Sequence, residues 1–291
     1  MSGRLYLRAP AKINWGLEIS GRRADGYHQL RSLMQNIDMA DSIMLQPSEY
    51  RTCRCFPDPG CREEDNLAQR AWVLLKERYA LPGELAIEIK KQIPPGRGLG
   101  GGSADAAAVL LGVNAMYELG LTLEQLSELA FPLGADIPFC LHGGLALVEG
   151  AGQIVRPYQP LTTYRLLLID PGFALSTAEV FRIYDRLPPE RKPHIERLLA
   201  GVLLGDRGAI GQSLGNMLEA PAIEIAPALD HDLAILESAG CAAWMSGSGS
   251  CLLALPPADR EINRVLDLLA SQGIGARLIR TQAKGVSMTE K

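Results

Sequence analysis

Pro94-Pro95-Gly96-Arg97-Gly98-Leu99-Gly100-Gly101-Gly102-Ser103-Ala104, continuing as DAAAVLLGVNAMY to Tyr117, carries the fold. Five of the seven residues from Gly96 to Gly102 are glycine, and an Ala-rich helix follows at once. Glycines let a backbone take positive φ and approach a ligand closely. The helix that follows offers unpaired N–H groups and the positive end of its dipole. Together they form an anion site suited to phosphates; a plain strand-to-helix turn rarely needs so many glycines. Walker A fails, because Gly102 stands where its lysine belongs. Gly96, Gly98 and Gly101 satisfy G-x-G-x-x-G, but the helix leads to Gly120 and a second helix rather than a second strand with an acid, so a dinucleotide fold is rejected. The protein-kinase loop fails too: Ser103 replaces its valine and no H-R-D follows.

Upstream, Leu85, Ile87 and Ile89 alternate as in a strand over 85–91. Asp65 is placed to N-cap a helix over 66–79, with Leu67, Ala71, Leu74, Leu75 and Arg78 along one face. Residues 50–64, rich in Cys, Pro and charge, read as a loop. Alternation predicts short strands over 4–9, 13–19, 29–38 and 41–46, with a turn at Asp25-Gly26. Downstream, a helix is expected at 122–131 and strands at 144–149 and 153–158. The linker candidate is 157–163. Beyond it come a strand at 165–170, helices near 176–187, 191–203, 207–217 and 226–239, a strand–turn–strand over 241–255 around SGSGS, a helix at 258–271 and a strand at 275–280. Strands before helices before strands in each half predict α+β, two unequal domains. The boundaries expected are 1–160 and 161–291.

With 291 residues, 47% apolar and 21% charged, the chain can bury a core without staples. A net charge of −4 argues against a nucleic-acid partner. The longest apolar run, Ala106 to Met116, falls short of a membrane span and holds four Ala, a Gly and an Asn. The N-terminus lacks the apolar segment of a signal peptide, so a cytoplasmic location is expected. Six scattered cysteines make no disulfide framework. Cys53, Cys55 and Cys61 cluster without a fourth ligand, so free thiols are expected and no protein-held metal.

The ordered set PAKIN (10–14), PPGRGLGGGSADAA (94–107), GADIPF (134–139) and SGSGSC (246–251) resembles the GHMP kinase superfamily, whose members phosphorylate small metabolites with ATP. The run Arg23, Asp25, Gly26, Tyr27, His28 and the segment FALSTAEVF (173–181) are most similar to its branch acting on the 2-hydroxyl of 4-diphosphocytidyl-2-C-methyl-D-erythritol, on the methylerythritol phosphate route to isoprenoids. The resemblance implies an N-terminal α/β domain of the ribosomal S5 domain 2-like kind carrying the ATP loop. It implies a C-terminal ferredoxin-like domain and a cleft between the two. Its implied catalytic residues are Asp136 as base and Lys12 as the cation paired with it. Implied ATP contacts are Asn66 and Pro94 through Ala104. Implied substrate contacts are Asn14, Tyr27, His28, Phe181, Gly247, Ser248 and Gly249. Mg²⁺ is expected to arrive with ATP, touching Ser103.

Physical chemistry supports those roles. Asp136, at the head of a short apolar segment, is placed to be partly desolvated, as a base should be. Lys12, by alternation, shares the side of Asn14 and lies opposite Ile13. A tyrosine can stack on a pyrimidine, and a histidine edge can pair with its polar groups. The competing activities are those of homoserine or mevalonate kinases, the related decarboxylase, or a non-catalytic nucleotide-binding regulator. The partner expected is a small molecule, with neither nucleic acid nor membrane, and the chain a monomer or weak homodimer.

Overall fold

The computed structural model describes residues 3–24, 26–187 and 190–289; Asp25 of the expected turn lies outside them. The chain opens with two long strands, β1 (Leu5–Arg22) and β2 (His28–Ser48), paired antiparallel from Leu5↔Leu45 to Arg22↔His28. Four short strands were expected here. The gap expected between residues 9 and 13 is instead bridged, with register shifts between Pro10 and Lys12 and between Asn14 and Gly16. A bulge inserts a residue and re-aims its neighbours without ending the ladder.

Residues 50–64 are not all loop. Thr52–Phe56 forms β3, parallel to β4 (Glu84–Lys90). Between them runs α1 (Leu67–Tyr79). Next come α2 (Gly101–Met116), α3 (Leu123–Ala130), α4 (Ile137–His142), β5 (Leu145–Gly150) and β6 (Ile154–Tyr158). The second half runs β7 (Arg165–Ile169), α5 (Thr177–Tyr184), α6 (Ile195–Leu204), α7 (Arg207–Gly211), β8 (Gly215–Asn216), α8 (Glu219–Ile225), α9 (Ala228–Ser238), β9 (Ala242–Met245), β10 (Leu252–Leu255), α10 (Ile262–Ser271), β11 (Ala276–Gln282) and β12 (Ser287–Thr289). The helix expected over 207–217 ends at Gly211. Residues Gly215 and Asn216 turn instead to pair with Gly16 and Leu17 of β1.

β11 ties the halves together: Ala276–Arg280 pairs with β7, while Thr281 and Gln282 pair with β2. Helix α2 is buried almost all round, packing between α1 and β1. Between β1 and β9 Trp15 stacks on Trp244 at 5.2 Å and meets Tyr164 edge-on at 5.2 Å. Burying an aromatic of this size is worth roughly 4–6 kcal/mol before entropy is counted. Both indoles are satisfied, Trp15 by Gln35 Oε1 at 2.8 Å and Trp244 by the carbonyl of Asn14 at 2.7 Å. The second bond anchors β9 onto the stretch of β1 that carries Lys12 and Asn14.

Candidate active site

Lys12 is only 3% exposed, so it does not sit on a solvated sheet face. Its Nζ lies 3.2 Å from Asp136 Oδ2 and donates to Asn14 Oδ1 at 2.9 Å. Asn14 Nδ2 donates to Ser32 Oγ at 2.7 Å, which donates to the carbonyl of Gly16 at 2.7 Å. A buried polar chain satisfied at each link holds its members in place. Asp136 stands at the N-cap position of α4, yet its side chain makes no cap bond. It turns to Lys12 and stays 40% exposed, so a substrate hydroxyl can reach the carboxylate. Ser32 and Ser246 belong to this assembly; Ser246 opens the SGSGSC motif but was not named as a contact, and Ser32 was not singled out from sequence. Ser32 is an isolated serine whose partners, Asn14 and Gly16, lie on the neighbouring strand.

The glycine loop is clamped on two sides. Lys12 N donates to the carbonyl of Leu99 at 2.9 Å, and Ser246 Oγ donates to that of Gly98 at 3.1 Å. Gly98 has φ +75, and a Cβ there would lie 2.1 Å from the carbonyl oxygen of Ser246. Gly100, with φ +68, precedes α2 as its N-cap, and a Cβ there would lie 2.8 Å from Lys12 Cγ. Those two glycines bring the N-terminus of α2 beside the Lys12 ammonium. Leu99 and Ala104, expected to contact ATP, bury their side chains in the core instead, each at 1% exposure. Apolar side chains there hold the loop down while its neighbours face the cavity.

Beneath the loop Lys91 pairs with Asp105 at 2.7 Å and with Asp41. Asp41 also accepts from the backbone of Gln92 at 2.6 Å and of Ile93 at 2.9 Å. Burial pulls the Lys91 ammonium down, but the carboxylates of Asp105 and Asp41 outweigh it and its pKa is raised. Burial pushes the Asp105 carboxyl well above its ordinary value, with the Lys91 charge opposing. This trio escaped the sequence reading because its members come from β2, the end of β4 and α2.

These groups line a cavity of about 590 Å³, a size suited to small ligands. Its wall includes Lys12, Asn14, Asn66, Asp136, Phe181, Gly247 and Ser248, with Pro94 to Gly98 and Gly100 to Ser103. Ser248 Oγ and Thr177 Oγ1 are hydrogen-bonded at 2.8 Å across the rim. Asn66, not Asp65, caps α1: its Oδ1 accepts from Ala68 N at 2.9 Å. Asn66 immediately precedes the helix with extended backbone, the geometry a cap requires, while Asp65 ends a 3₁₀ turn and pairs with Arg62. Asn66 Nδ2 donates to Cys55 Sγ at 3.3 Å.

Tyr27, His28 and Gly249 do not line the cavity wall. Tyr27 is 57% exposed. His28 stacks on Phe181 with centroids 4.7 Å apart and meets Tyr184 edge-on at 5.8 Å. Its Nε2 lies 2.7 Å from Asp185 Oδ1, so that nitrogen carries the proton and Nδ1 is left as an acceptor in the neutral ring. Arg22 also reaches Asp185, at 3.6 Å. Among the described residues no group of three or more His, Cys, Asp or Glu is placed to hold a metal ion, and no helix is long and apolar enough to cross a membrane.

Residues 66–144 match the family model of the GHMP kinase N-terminal domain, and 198–278 that of the GHMP kinase C-terminal domain. A 4-diphosphocytidyl-2-C-methyl-D-erythritol kinase of Moorella thermoacetica is 42% identical over 274 residues, covering 89% of this chain and 92% of the relative. One from Bacillus pumilus is 37% identical, covering 90% and 91%. A crystal structure of 4-(cytidine 5'-diphospho)-2C-methyl-D-erythritol kinase superposes with a TM-score of 0.77 at 33% identity, covering 96% of this chain and all of that one. The homoserine kinase of Cytophaga hutchinsonii superposes as well, TM-score 0.77, but at 20% identity, over 99% of this chain and 98% of that one; that likeness is one of fold.

Proposed function

The chain belongs to the GHMP kinase family, and from that premise we propose that it moves the terminal phosphoryl of ATP onto the 2-hydroxyl of 4-diphosphocytidyl-2-C-methyl-D-erythritol. The products are the 2-phosphate and ADP, in the methylerythritol phosphate route to isoprenoids. The observation that carries the chemistry is the Lys12–Asp136 pair, 3.2 Å apart, where the glycine loop meets the cavity. Relatives of this activity, aligned over nine-tenths of the chain, carry the choice of substrate.

Phosphoryl transfer asks a protein for positioning and for neutralisation of charge. The loop's glycines and the start of α2 leave a concave backbone that side chains would fill, and this fits a polyphosphate. We assign Asp136 to take the proton of the 2-hydroxyl as the oxygen attacks in line. Lys12, buried and held by Asn14, stabilises charge on the transferring group and holds the Asp136 carboxylate in position. Mg²⁺, entering with ATP, would neutralise phosphate charge, with Ser103 on the first turn of α2 the hydroxyl beside it. We place the purine toward Asn66, and the cytosine toward Phe181, with Tyr27 stacking on its face and His28 pairing with its edge. Residues 1–160 and 161–291 form the two lobes of this reading. The chain acts in the cytoplasm as a monomer or weak homodimer, every site residue coming from one copy.

The deciding experiment measures ATP consumption with the cytidine substrate, homoserine and mevalonate side by side. Turnover on the first alone is the expected outcome. A preference for either of the others would overturn the substrate assignment while leaving the kinase chemistry in place.

A further inference from the structure

Cys53, Cys55 and Cys61 serve no step of the reaction above, yet two of them line the cavity. Cys55 and Cys61 are on its wall with Asn66, and Cys53 joins both around a smaller adjoining pocket. All three are free thiols. They differ in surroundings: Cys53 is buried, Cys55 half-buried and Cys61 exposed. Cys53 and Cys55 are two apart on β3, hence on one face of the strand. Asn66 Nδ2 donates to Cys55 Sγ at 3.3 Å from the head of α1. Cys55 is therefore the one thiol with a fixed donor on its sulfur and an open path from the cavity.

We propose that Cys55 is a thiol-modification site inside the nucleotide cleft, where a low-molecular-weight disulfide forms a mixed disulfide that excludes ATP. The inference rests on the assignment of the purine to the Asn66 end. In the step itself the Cys55 thiolate attacks one sulfur of the small disulfide. A Cys55–S bond forms, the original S–S bond breaks, and the departing thiolate carries away the electron pair and takes up a proton. Excess thiol reverses the exchange by the same route. The adduct occupies the wall between Cys55 and Asn66, so it and the nucleotide exclude one another.

The groups facing Cys55 favour this chemistry. The Cys53 thiol hydrogen-bonds to it and, despite partial burial, lowers its pKa to about 7, aided by the Asn66 amide and the Lys91 charge and opposed by Asp58. A thiol whose pKa is lowered is ionised at pH 7 to a greater extent than an ordinary one. The other thiols are held back. Cys53 is raised by the same hydrogen bond, Cys61 by partial burial and the neighbouring Cys55 and Asp58 charges, and Cys140, Cys241 and Cys251 by burial.

The test treats the full chain with 5,5'-dithiobis(2-nitrobenzoate), follows release of the coloured thiolate, and maps the label by mass spectrometry. One equivalent in a fast phase, located on Cys55, is expected, with a rate midpoint below the ordinary value of about 8.5. ATP at ten times its dissociation constant should slow that phase roughly tenfold by mass action. Cys55→Ser should remove the phase; the map on the unaltered chain stands even where that variant folds poorly. A fast label on Cys61 would overturn the inference. So would an unchanged rate while calorimetry shows ATP bound. A chain that binds no ATP would overturn the reading beneath it, and the inference with it.

Discussion

At the phosphoryl end of the cavity, Lys12 is buried, its ammonium held by Asn14 and Asp136, and the loop beside it is clamped by a backbone bond from β1 and by the Ser246 hydroxyl. At the Phe181 end, Tyr27 stands largely exposed and His28 is held from behind by Asp185. The groups of the first end line the cavity; Tyr27 and His28, proposed above to recognise the base, stand beside the wall rather than on it. The difference follows from what each must do. Charge developing on a transferring phosphoryl is stabilised only by groups already in place, since reorganisation at the moment of reaction costs rate. A base can be recognised by rings that swing onto its faces as it binds, their ordering cost offset by stacking. Substitutions at the first end should therefore strike turnover or ATP, and those at the second should strike one substrate.

The largest effect is expected from Asp136→Asn, nearly isosteric but unable to take a proton. Its kcat should fall by about 10²–10⁴, with ATP affinity close to unchanged in calorimetry. Turnover near the parent value would remove Asp136 as the base. Gly100→Val comes next. Its branched side chain meets Lys12 Cγ and must adopt positive φ, each costing of order 1–3 kcal/mol. ATP affinity should drop by at least tenfold to a hundredfold, by this estimate, while the cytidine substrate still binds; equal loss of both ligands would mean the loop is only structural.

Tyr27→Ala probes the other end. Stacking of a base on an aromatic is worth about 1–3 kcal/mol, so KM for the cytidine substrate should rise roughly 5- to 150-fold. KM for ATP should stay within a factor of about two, by the same reckoning. A rise in both would break the division between the ends. The smallest effect is expected from Asp185→Asn. In the parent, Nε2 faces the Asp185 carboxylate at 2.7 Å; on the reading proposed above, Nδ1 then accepts from the amino group of cytosine, which uracil lacks. Losing that charge weakens a single hydrogen bond, so the ratio of kcat/KM for cytosine over uracil substrates should narrow roughly 2- to 10-fold. His28→Ala should narrow it further. An unaltered ratio in both would move cytosine recognition elsewhere.

Local pattern made much of this legible. The glycine loop and α2 announce themselves because φ freedom and helix propensity are properties of neighbouring residues. PAKIN, GADIPF and SGSGS stand out as ordered motifs for the same reason. Where neighbours mislead, the reading slipped. The strands expected over 4–9 and 13–19 are one, because sheet pairing on both sides of β1 carries the strand across Pro10 as a bulge. The Cys-rich segment hides β3 because its partner β4 lies beyond a whole helix. Asp65 and Asn66 are both good caps, and only the geometry of the preceding 3₁₀ turn chooses Asn66.

By itself the sequence determined the family, the α+β class, the phosphate loop and the residue types available for proton transfer, because motif order and local propensity are written along the chain. Only the tertiary structure decided which groups touch. The Lys12 ammonium meets Asp136 across a separation of more than a hundred residues, Lys91 sits between Asp41 and Asp105, and Cys55 rests under the Asn66 amide. None of these pairs has a local signal, since burial and long-range register bring the partners together. The charge and reactivity of each group follow from that company rather than from its place in the chain.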